Sequence, residues 1–432
     1  MRGVVLATIA MTMLLLLLAL ALPAAASDYT LGVFGNANED DTINMQDVTY
    51  TELIILEYRD RTELADAKYD GKINMQDVTQ IELIILGKEK ELTFRDLFGE
   101  AETVNKPIER LINLGIKGPV AVRAIGAKDL LVAVGTYTTT NEVFFPELSK
   151  LPGIKDDYEM MLSLEPDAVM TNLEMRRYAI DGLPKKREFQ EKLPGIPLIC
   201  LNMRETDVLP ENVMVLGYIL DREDEAKEYS DWLEGHINEF TTLTEGFSTD
   251  ERPKYYIESH GKSWRSICPG SRFDWPAAIA GGYNIAADVI GPNHPLYGHS
   301  YFDVDPEWVV EQNPEYVVSG RSGASGGGLG GYDTDDPSGA IASIEEYTTR
   351  PGLSATDAVT NGHIYYLGGG LYNGGGSSII GAAYMGKVFQ PALFEDVDPQ
   401  AIHQEFIDEF CPGLNFDVSE HGVFFYPPLE ES

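Results

Sequence analysis

The chain has 432 residues, 44% of them hydrophobic, with 69 acidic against 32 basic side chains and a formal net charge of −37. Such an acidic surface repels polyanions, which excludes nucleic acid and anionic lipid as partners. Cys200, Cys268 and Cys411 lie too far apart to form a metal-spacing motif or a disulfide-stapled scaffold, and the length supplies two or three cored domains.

Arg2 is the only charge before an apolar run over 11–22, and Ala24, Ala25 and Ala26 follow it. This is the pattern of a secretory signal peptide over 1–26, with Ser27 as the first mature residue and the protein acting outside the cytoplasm, at the cell surface or in a periplasm-like space. Residues 3–22 approach the roughly 20 apolar residues that span a bilayer, so an uncleaved N-terminal anchor is the alternative. Loss of the signal removes Arg2 and takes the formal charge from −37 to −38.

The stretch INMQDVTYTELIIL, from Ile43, recurs as INMQDVTQIELIIL from Ile73. Oxygen-bearing residues precede each copy. Counted from Asn36, they fall at places 1, 3, 5 and 12 (Asn36, Asn38, Asp40, Asp47); counted from Asp66, at 1, 5 and 12 (Asp66, Asp70, Asp77), with Lys68 at place 3. That spacing wraps a loop around a hard cation, closed by the carboxylate at place 12. Place 6 calls for a left-handed turn, which Gly71 takes freely and Asp41 takes at a cost. Two helical hairpins with solvated acidic turns and no metal are the alternative. The following helices cannot bury their Leu/Ile faces alone, so one copy is half of a domain.

Paired loops with Asp at place 12, each followed by one helix, resemble a dockerin domain, here over 27–90. The resemblance implies Ca²⁺ in the loops and a cohesin-like protein as partner. It also implies a pseudo-twofold docking face at Met45-Gln46 and Met75-Gln76. Asn36, Asp41 and Lys68 depart from the family pattern and weaken the second loop most.

From Glu91 the texture changes. LTFRDLFGEAETV reads as a β-hairpin. Short apolar strands then recur in ERLINLG, DLLVAVG, DAVMTN and IPLICLN, and again in PKYYIESHG, PEYVVSG and GHIYYLGGG. Helical patterns between them make a mainly parallel sheet. Between the two sets, residues 223–243 place apolar side chains three and four apart, which predicts a helix about 30 Å long. A subtler duplication joins the halves: EMMLSLEPDAVMTN from Glu159 and EWVVEQNPEYVVSG from Glu307 each run from Glu to Pro to a buried strand.

Over about 91–411 these motifs resemble the substrate-binding proteins of ABC importers for iron–siderophore, haem and corrinoid complexes. PIERLINLG, YEMMLSLEPDAVM, AAIAGGYNIAAD and VDPEWVVEQNPEYVV fall in that family's order. The resemblance implies an α/β fold of two Rossmann-like lobes joined by a long helix, the helical-backbone type of binding protein, preceded here by the small all-α paired-loop domain. The expected lobes are 91–210 and 247–432, with 211–246 connecting them. The implied function is capture of an iron chelate, with a corrinoid as the alternative, and delivery to importer membrane subunits. Glu159 and Glu307 are the implied permease-docking carboxylates.

Ligand-facing residues are sought where strands stop: Arg123, Tyr137, Arg176 and Arg177 in the first lobe, and Trp264, Arg265, Arg321, Tyr372 and Asn373 in the second. Aromatic faces and guanidiniums suit a chelate that carries rings and carboxylates. The glycine-rich runs SGASGGGLGG and GGGLYNGGG read as loops over a bulky ligand, since no Lys-Ser/Thr follows them as in a phosphate loop. No catalytic residue, nucleophile elbow or catalytic cofactor is expected. His260, His294 and His299 form no metal-spacing motif. The rival reading is a cell-surface scaffold or carbohydrate-active protein on which the paired-loop unit is the function.

Overall fold

The computed structural model describes residues 29–171, 179–259, 262–320, 329–368 and 370–429; the expected export signal lies outside them. Among the described residues, no helix is long and apolar enough to cross a membrane.

The duplicated stretch forms two helices, α1 (Met45–Ile55) and α2 (Met75–Ile85). The Asn44 and Asn74 side chains cap them by accepting the N–H of Gln46 and Gln76. Asp47 and Asp77 reach back to the N–H of the capping residue at 2.8 Å. A cap of this kind contributes about 1 kcal/mol to its helix. Val48, Ile54, Val78, Ile81 and Ile84 are buried, so each copy covers the apolar face of the other.

This paired unit shares a core with the rest of the chain. The Val33 backbone bridges Phe94, Arg95 N–H donates to Gly32 O at 2.7 Å, and Gln80 Nε2 donates to Glu91 O at 2.7 Å. One apolar cluster runs from Val48 and Ile84 through Phe94 to Val213 and Leu216. The first loop does not turn at Asp41: the left-handed residues are Glu39 in the first loop, and Tyr69 and Gly71 in the second.

Strands β1 (Glu91–Arg95) and β2 (Ala101–Asn105) form the antiparallel hairpin. Then β3 (Leu111–Asn113), α3 (Gly118–Ala124), β4 (Leu131–Gly135), β5 (Gly153–Ile154), α4 (Tyr158–Ser163), β6 (Ala168–Thr171) and β7 (Leu198–Cys200) follow. Their sheet has the order β5-β4-β3-β6-β7 and every pairing in it is parallel. Helices α5 (Leu209–Leu220) and α6 (Glu223–Thr244) connect to the second sheet. At 1.5 Å per residue, α6 is about 33 Å long.

The second sheet contains β8 (Lys254–Ser259), β9 (Arg265–Ile267), β10 (Tyr283–Asn284) and β11 (Tyr301–Asp303). Helix α7 (Pro306–Gln312), β12 (Tyr316–Gly320), β13 (Ile364–Leu367), α8 (Ser377–Phe389), α9 (Pro399–Phe410) and β14 (Phe425–Tyr426) complete it. The order is β11-β9-β8-β12-β13-β14, with β10 beside β8. Only β8, β10, β12 and β13 pair in parallel; β9, β11 and β14 run antiparallel to their neighbours. The link from β8 to β9 is too short for the crossover that a parallel pair requires. The expectation of a mainly parallel sheet therefore holds for the first lobe and is corrected in the second.

The shared Glu-to-Pro motif has one geometry in both lobes. Helices α4 and α7 end at left-handed residues, Glu165 (φ 46°) and Asn313 (φ 47°), each directly before a proline. Proline disfavours helix in the residue before it, and the chain turns at once into β6 or β12. Helix α9 leaves the second lobe to pack on the connecting helix and the first lobe before β14 returns to β13. Phe410 of α9 packs on Tyr229 and Trp232 of α6, and Cys411 Sγ accepts from Arg123 at 3.0 Å.

Candidate functional site

A cleft with about 640 Å³ of empty space, part of it open to solvent, lies where the strand ends of the two sheets face each other. Lys117, Tyr137 and Phe144 line it from the first lobe, and Tyr332, Asp333 and Ser377 from the second. Lys117 in the lining, and Arg204 and Arg272 beside it, each follow a strand. Lys117 stands at the start of α3 after β3, Arg204 follows β7, and Arg272 follows β9.

These three cations are buried and act on one another. Burial pulls Lys117 down to about 7, helped by the charges of Arg204 and Arg272. Burial and Arg272 pull Arg204 down to about 9, while Glu205, Tyr137 and Tyr301 act the other way. Lys117 Nζ donates to Ser377 Oγ at 2.9 Å, across the lobes. Arg204 Nη2 and Arg272 Nε both point at Asn373 Oδ1, at 3.0 and 3.4 Å.

The Asn373 loop can press on Arg204 because glycines follow it. Gly374 (φ 75°) lies so close that a Cβ there would stand 2.0 Å from Arg204 O. Gly375, also left-handed, donates its N–H to the same carbonyl at 2.9 Å. A side chain at either place would meet both steric conflict and backbone strain.

Of the residues expected at the site, Tyr137 lines the cleft, and Asn373 lies beside it on Arg204 and Arg272. Tyr137 is 37% exposed at the rim, and burial of its phenol end, with Asp333 nearby, raises its pKa against the pull of Arg204. Tyr372 is buried behind the cleft, its hydroxyl donating to Gly320 O and its ring 5.6 Å from Phe273. Arg123 lies behind the Phe144 wall: it is 2% exposed, donates to Phe144 O at 2.6 Å and lies 4.4 Å from the Phe144 ring.

Trp264, left-handed at φ 62°, precedes β9 and Arg265 opens it, and neither is among the residues lining the cleft. The Arg350 guanidinium lies over the Trp264 ring at 4.9 Å, and Trp264 N–H donates to Glu258 at 2.9 Å. Arg265 pairs with Asp303 at 3.2 Å and covers Tyr301 at 5.4 Å. Arg176, Arg177 and Arg321 lie outside the described residues. Lys117 and Arg204 follow strands that the sequence does show, so the strand-end rule applied to every strand finds them. Arg272 follows β9, which carries no apolar run long enough to read.

The paired loops are organised around Asp47 and Asp77. Asp47 accepts the N–H of Asn38 at 3.1 Å, as Asp77 accepts that of Lys68 at 3.0 Å. Asn36 is fully buried; its Nδ2 donates to Leu31 O and Asp40 O, while its Oδ1 has no hydrogen-bond partner. In the second loop Asp66 instead closes on Asp70 N–H and Gly71 N–H, at 3.1 and 2.8 Å. Among the described residues, no three His, Cys, Asp or Glu side chains converge as a metal site. In the first loop the Asn38 side chain lies against Asp40, its Nδ2 donating to Asp40 Oδ2 at 2.6 Å and its Oδ1 accepting the Asp40 N–H at 3.2 Å.

Glu159 and Glu307 are exposed in the first turns of α4 and α7. The caps of those helices are Asp157 and Asp305, which accept the N–H groups of Met160, and of Glu307 and Trp308.

A family model described as periplasmic binding protein matches residues 121–370. The chain is 25% identical over 238 residues to the vitamin B12-binding protein of Vibrio parahaemolyticus, covering 54% of this chain and 78% of that one. In fold it is similar to the TroA-like periplasmic binding protein FepB of Veillonella parvula, with a TM-score of 0.61 and 22% identity over 77% of this chain and 98% of that one. It is also similar to Helicobacter pylori CeuE in a nickel–histidine complex, with a TM-score of 0.56 and 17% identity over 76% and 97%.

Proposed function

The chain belongs to the periplasmic binding protein family, a family of extracytoplasmic substrate-binding proteins, and on that premise we propose that it captures an anionic iron chelate of siderophore or haem type for an ABC importer. The observation that carries this reading is the cluster of buried cations at the cleft, with Lys117 in its lining and Arg204 and Arg272 close enough beside it to act on Lys117 and to share Asn373. Buried like charges raise each other's free energy, and an anionic ligand between them relieves that cost. Carboxylate, catecholate or propionate oxygens match guanidinium geometry, while Tyr137, Phe144 and Tyr332 offer ring faces to the rest of the ligand. A corrinoid is the second reading, favoured by the similarity to the Vibrio protein. Absorbance titration of the full chain with ferric siderophores, haem and corrinoids separates the two. Tight binding of the anionic chelates with corrinoids inert supports the first reading; corrinoid binding alone replaces it.

Delivery uses the exposed Glu159 and Glu307 as one carboxylate anchor per lobe on the importer's membrane subunits. Their freedom from capping duty supports this role. The paired loops take Ca²⁺, first of all through Asn36, Asn38, Asp40 and Asp47, with Asp66, Asp70 and Asp77 as the weaker set. Support comes from the buried, unpartnered Oδ1 of Asn36, a donor-less acceptor of the kind a cation satisfies. The exposed Met45 and Met75 then present a duplicated face to a cohesin-like protein.

A further inference from the structure

The two loops differ in what holds them. In the first, Ile43 at place 8 donates its N–H to the Tyr218 hydroxyl at 2.9 Å, with Thr42 Oγ1 3.4 Å from the same oxygen. In the second, the counterpart Ile73 is half-buried and residues 68–72 before it are exposed. The first loop is thus seated on α5, and the second stands toward solvent.

Helix α5 reaches from that contact to the cleft. Tyr218 is 6% exposed near its C-terminal end, where Lys106 Nζ donates to the Tyr218 carbonyl and pairs with Asp221 at 2.7 Å. At the other end, Leu209 lines the small cavity beneath Lys117, and Thr206 donates to Gly375 O at 3.2 Å. Leu209 and Tyr218 are nine residues apart, about 14 Å along the helix axis. The helix is buried over most of its length, so a displacement at one end has little room to dissipate before the other.

We infer that cation binding in the first loop is coupled to the chelate cleft through α5. The ion orders the loop that carries Thr42 and Ile43, these hold Tyr218, and α5 passes the constraint to the cleft floor at Lys117 and Gly375. The inference rests on the calcium reading above. It assigns the coupling to the first loop alone, because only that loop touches α5 through its place-8 amide. The duplication has been put to two uses, one copy turned inward as a latch and the other outward.

Calorimetric Ca²⁺ titration of the full chain, paired with amide hydrogen exchange over residues 209–220, tests it. Ca²⁺ is expected to slow exchange in that segment about tenfold. Tyr218→Phe, which keeps the ring and removes the hydroxyl, is expected to bind Ca²⁺ several-fold more weakly and to lose the slowing. Lys72→Ala, an exposed change in the second loop outside the proposed ligands, keeps it. If Ca²⁺ binds but exchange over 209–220 is unchanged, or Tyr218→Phe behaves as the parent, the coupling is overturned while the calcium reading stands. If the parent chain takes no Ca²⁺, the calcium reading fails and the coupling with it.

Discussion

Arg204 Nη2 of the first lobe donates to Asn373 Oδ1 of the second at 3.0 Å, and Arg272 reaches toward the same oxygen at 3.4 Å. Two guanidiniums on one amide oxygen bring like charges together across the lobe boundary. Removing one should leave the fold intact and lower affinity for anions. Charge-assisted hydrogen bonds contribute about 1.5–3 kcal/mol each, so Arg204→Ala is expected to weaken a ferric chelate roughly 10- to 100-fold. Arg204→Lys should retain part of the affinity, since it keeps the charge and loses the fork. An absorbance titration in which Arg204→Ala binds like the parent removes Arg204 from the site.

Ligand affinity should depend on pH through Lys117. Its folded-state value of about 7 lies below the ordinary 10.5 because burial and two arginines oppose its charge. An anionic ligand favours the protonated lysine, so affinity should fall above pH ~7, to roughly a tenth at pH 8.5 of its value at pH 6.5. Stability runs the other way. Between about 7 and 10.5 the unfolded chain holds a proton that the folded chain has shed, so the Lys117 contribution to stability rises with pH across that window and is flat below it. In Lys117→Met both dependences should vanish; a parent-like pH profile of affinity in that variant rejects the assignment.

Trp264→Ala should act on stability and not on affinity. The ring supports Arg350, whose guanidinium is held by Glu258 at 2.6 Å in a buried cluster with Tyr256 and Tyr347. Loss of a half-buried aromatic ring costs about 2–3 kcal/mol. A urea titration alongside a binding titration checks this, and a large affinity loss at unchanged stability would return Trp264 to the ligand.

Gly374→Ala should disturb the lobe contact itself, because its Cβ would fall 2.0 Å from Arg204 O at a left-handed φ. Displacing the loop moves Asn373 off the two arginines, so an affinity loss of about tenfold or more is expected, with a drop in thermal midpoint of a few degrees. The same scan and titration on Gly235→Ala, exposed on α6 with nothing within 4 Å of an added Cβ, should show little change in affinity.

Glu159→Ala combined with Glu307→Ala should leave chelate affinity and thermal midpoint as they are and abolish uptake in cells, each single change doing less. Helix stability is insulated because Asp157 and Asp305 hold the caps. Normal uptake per folded molecule in the double variant would leave the two glutamates as solvent-facing residues.

The lobes were legible because their signals are local. Short apolar strands spaced by helical patterns mark β3, β4, β6, β7, β8, β12 and β13, and three- and four-residue spacing marks α6. The strands that escaped notice, β5, β9, β10, β11 and β14, have two or three residues each. Elements that short exist because a neighbouring edge pairs with them, and the same reason put Arg265 at the start of a strand.

Which oxygens stand at which place of a twelve-residue loop, and that one copy cannot bury its own helix, follow from the order of residues alone. So do the compartment pattern and the two Glu-to-Pro motifs, since each depends on neighbours within about twenty residues. The cleft does not. Lys117, Arg204, Arg272 and Asn373 come from four distant segments, and what makes them a site is their shared burial, which shifts Lys117 and Arg204 from their ordinary values. The seating of the first loop on Tyr218, and the return of Cys411 to Arg123, are likewise contacts over long chain separations. No periodicity records them, because they are set by how finished elements pack against each other.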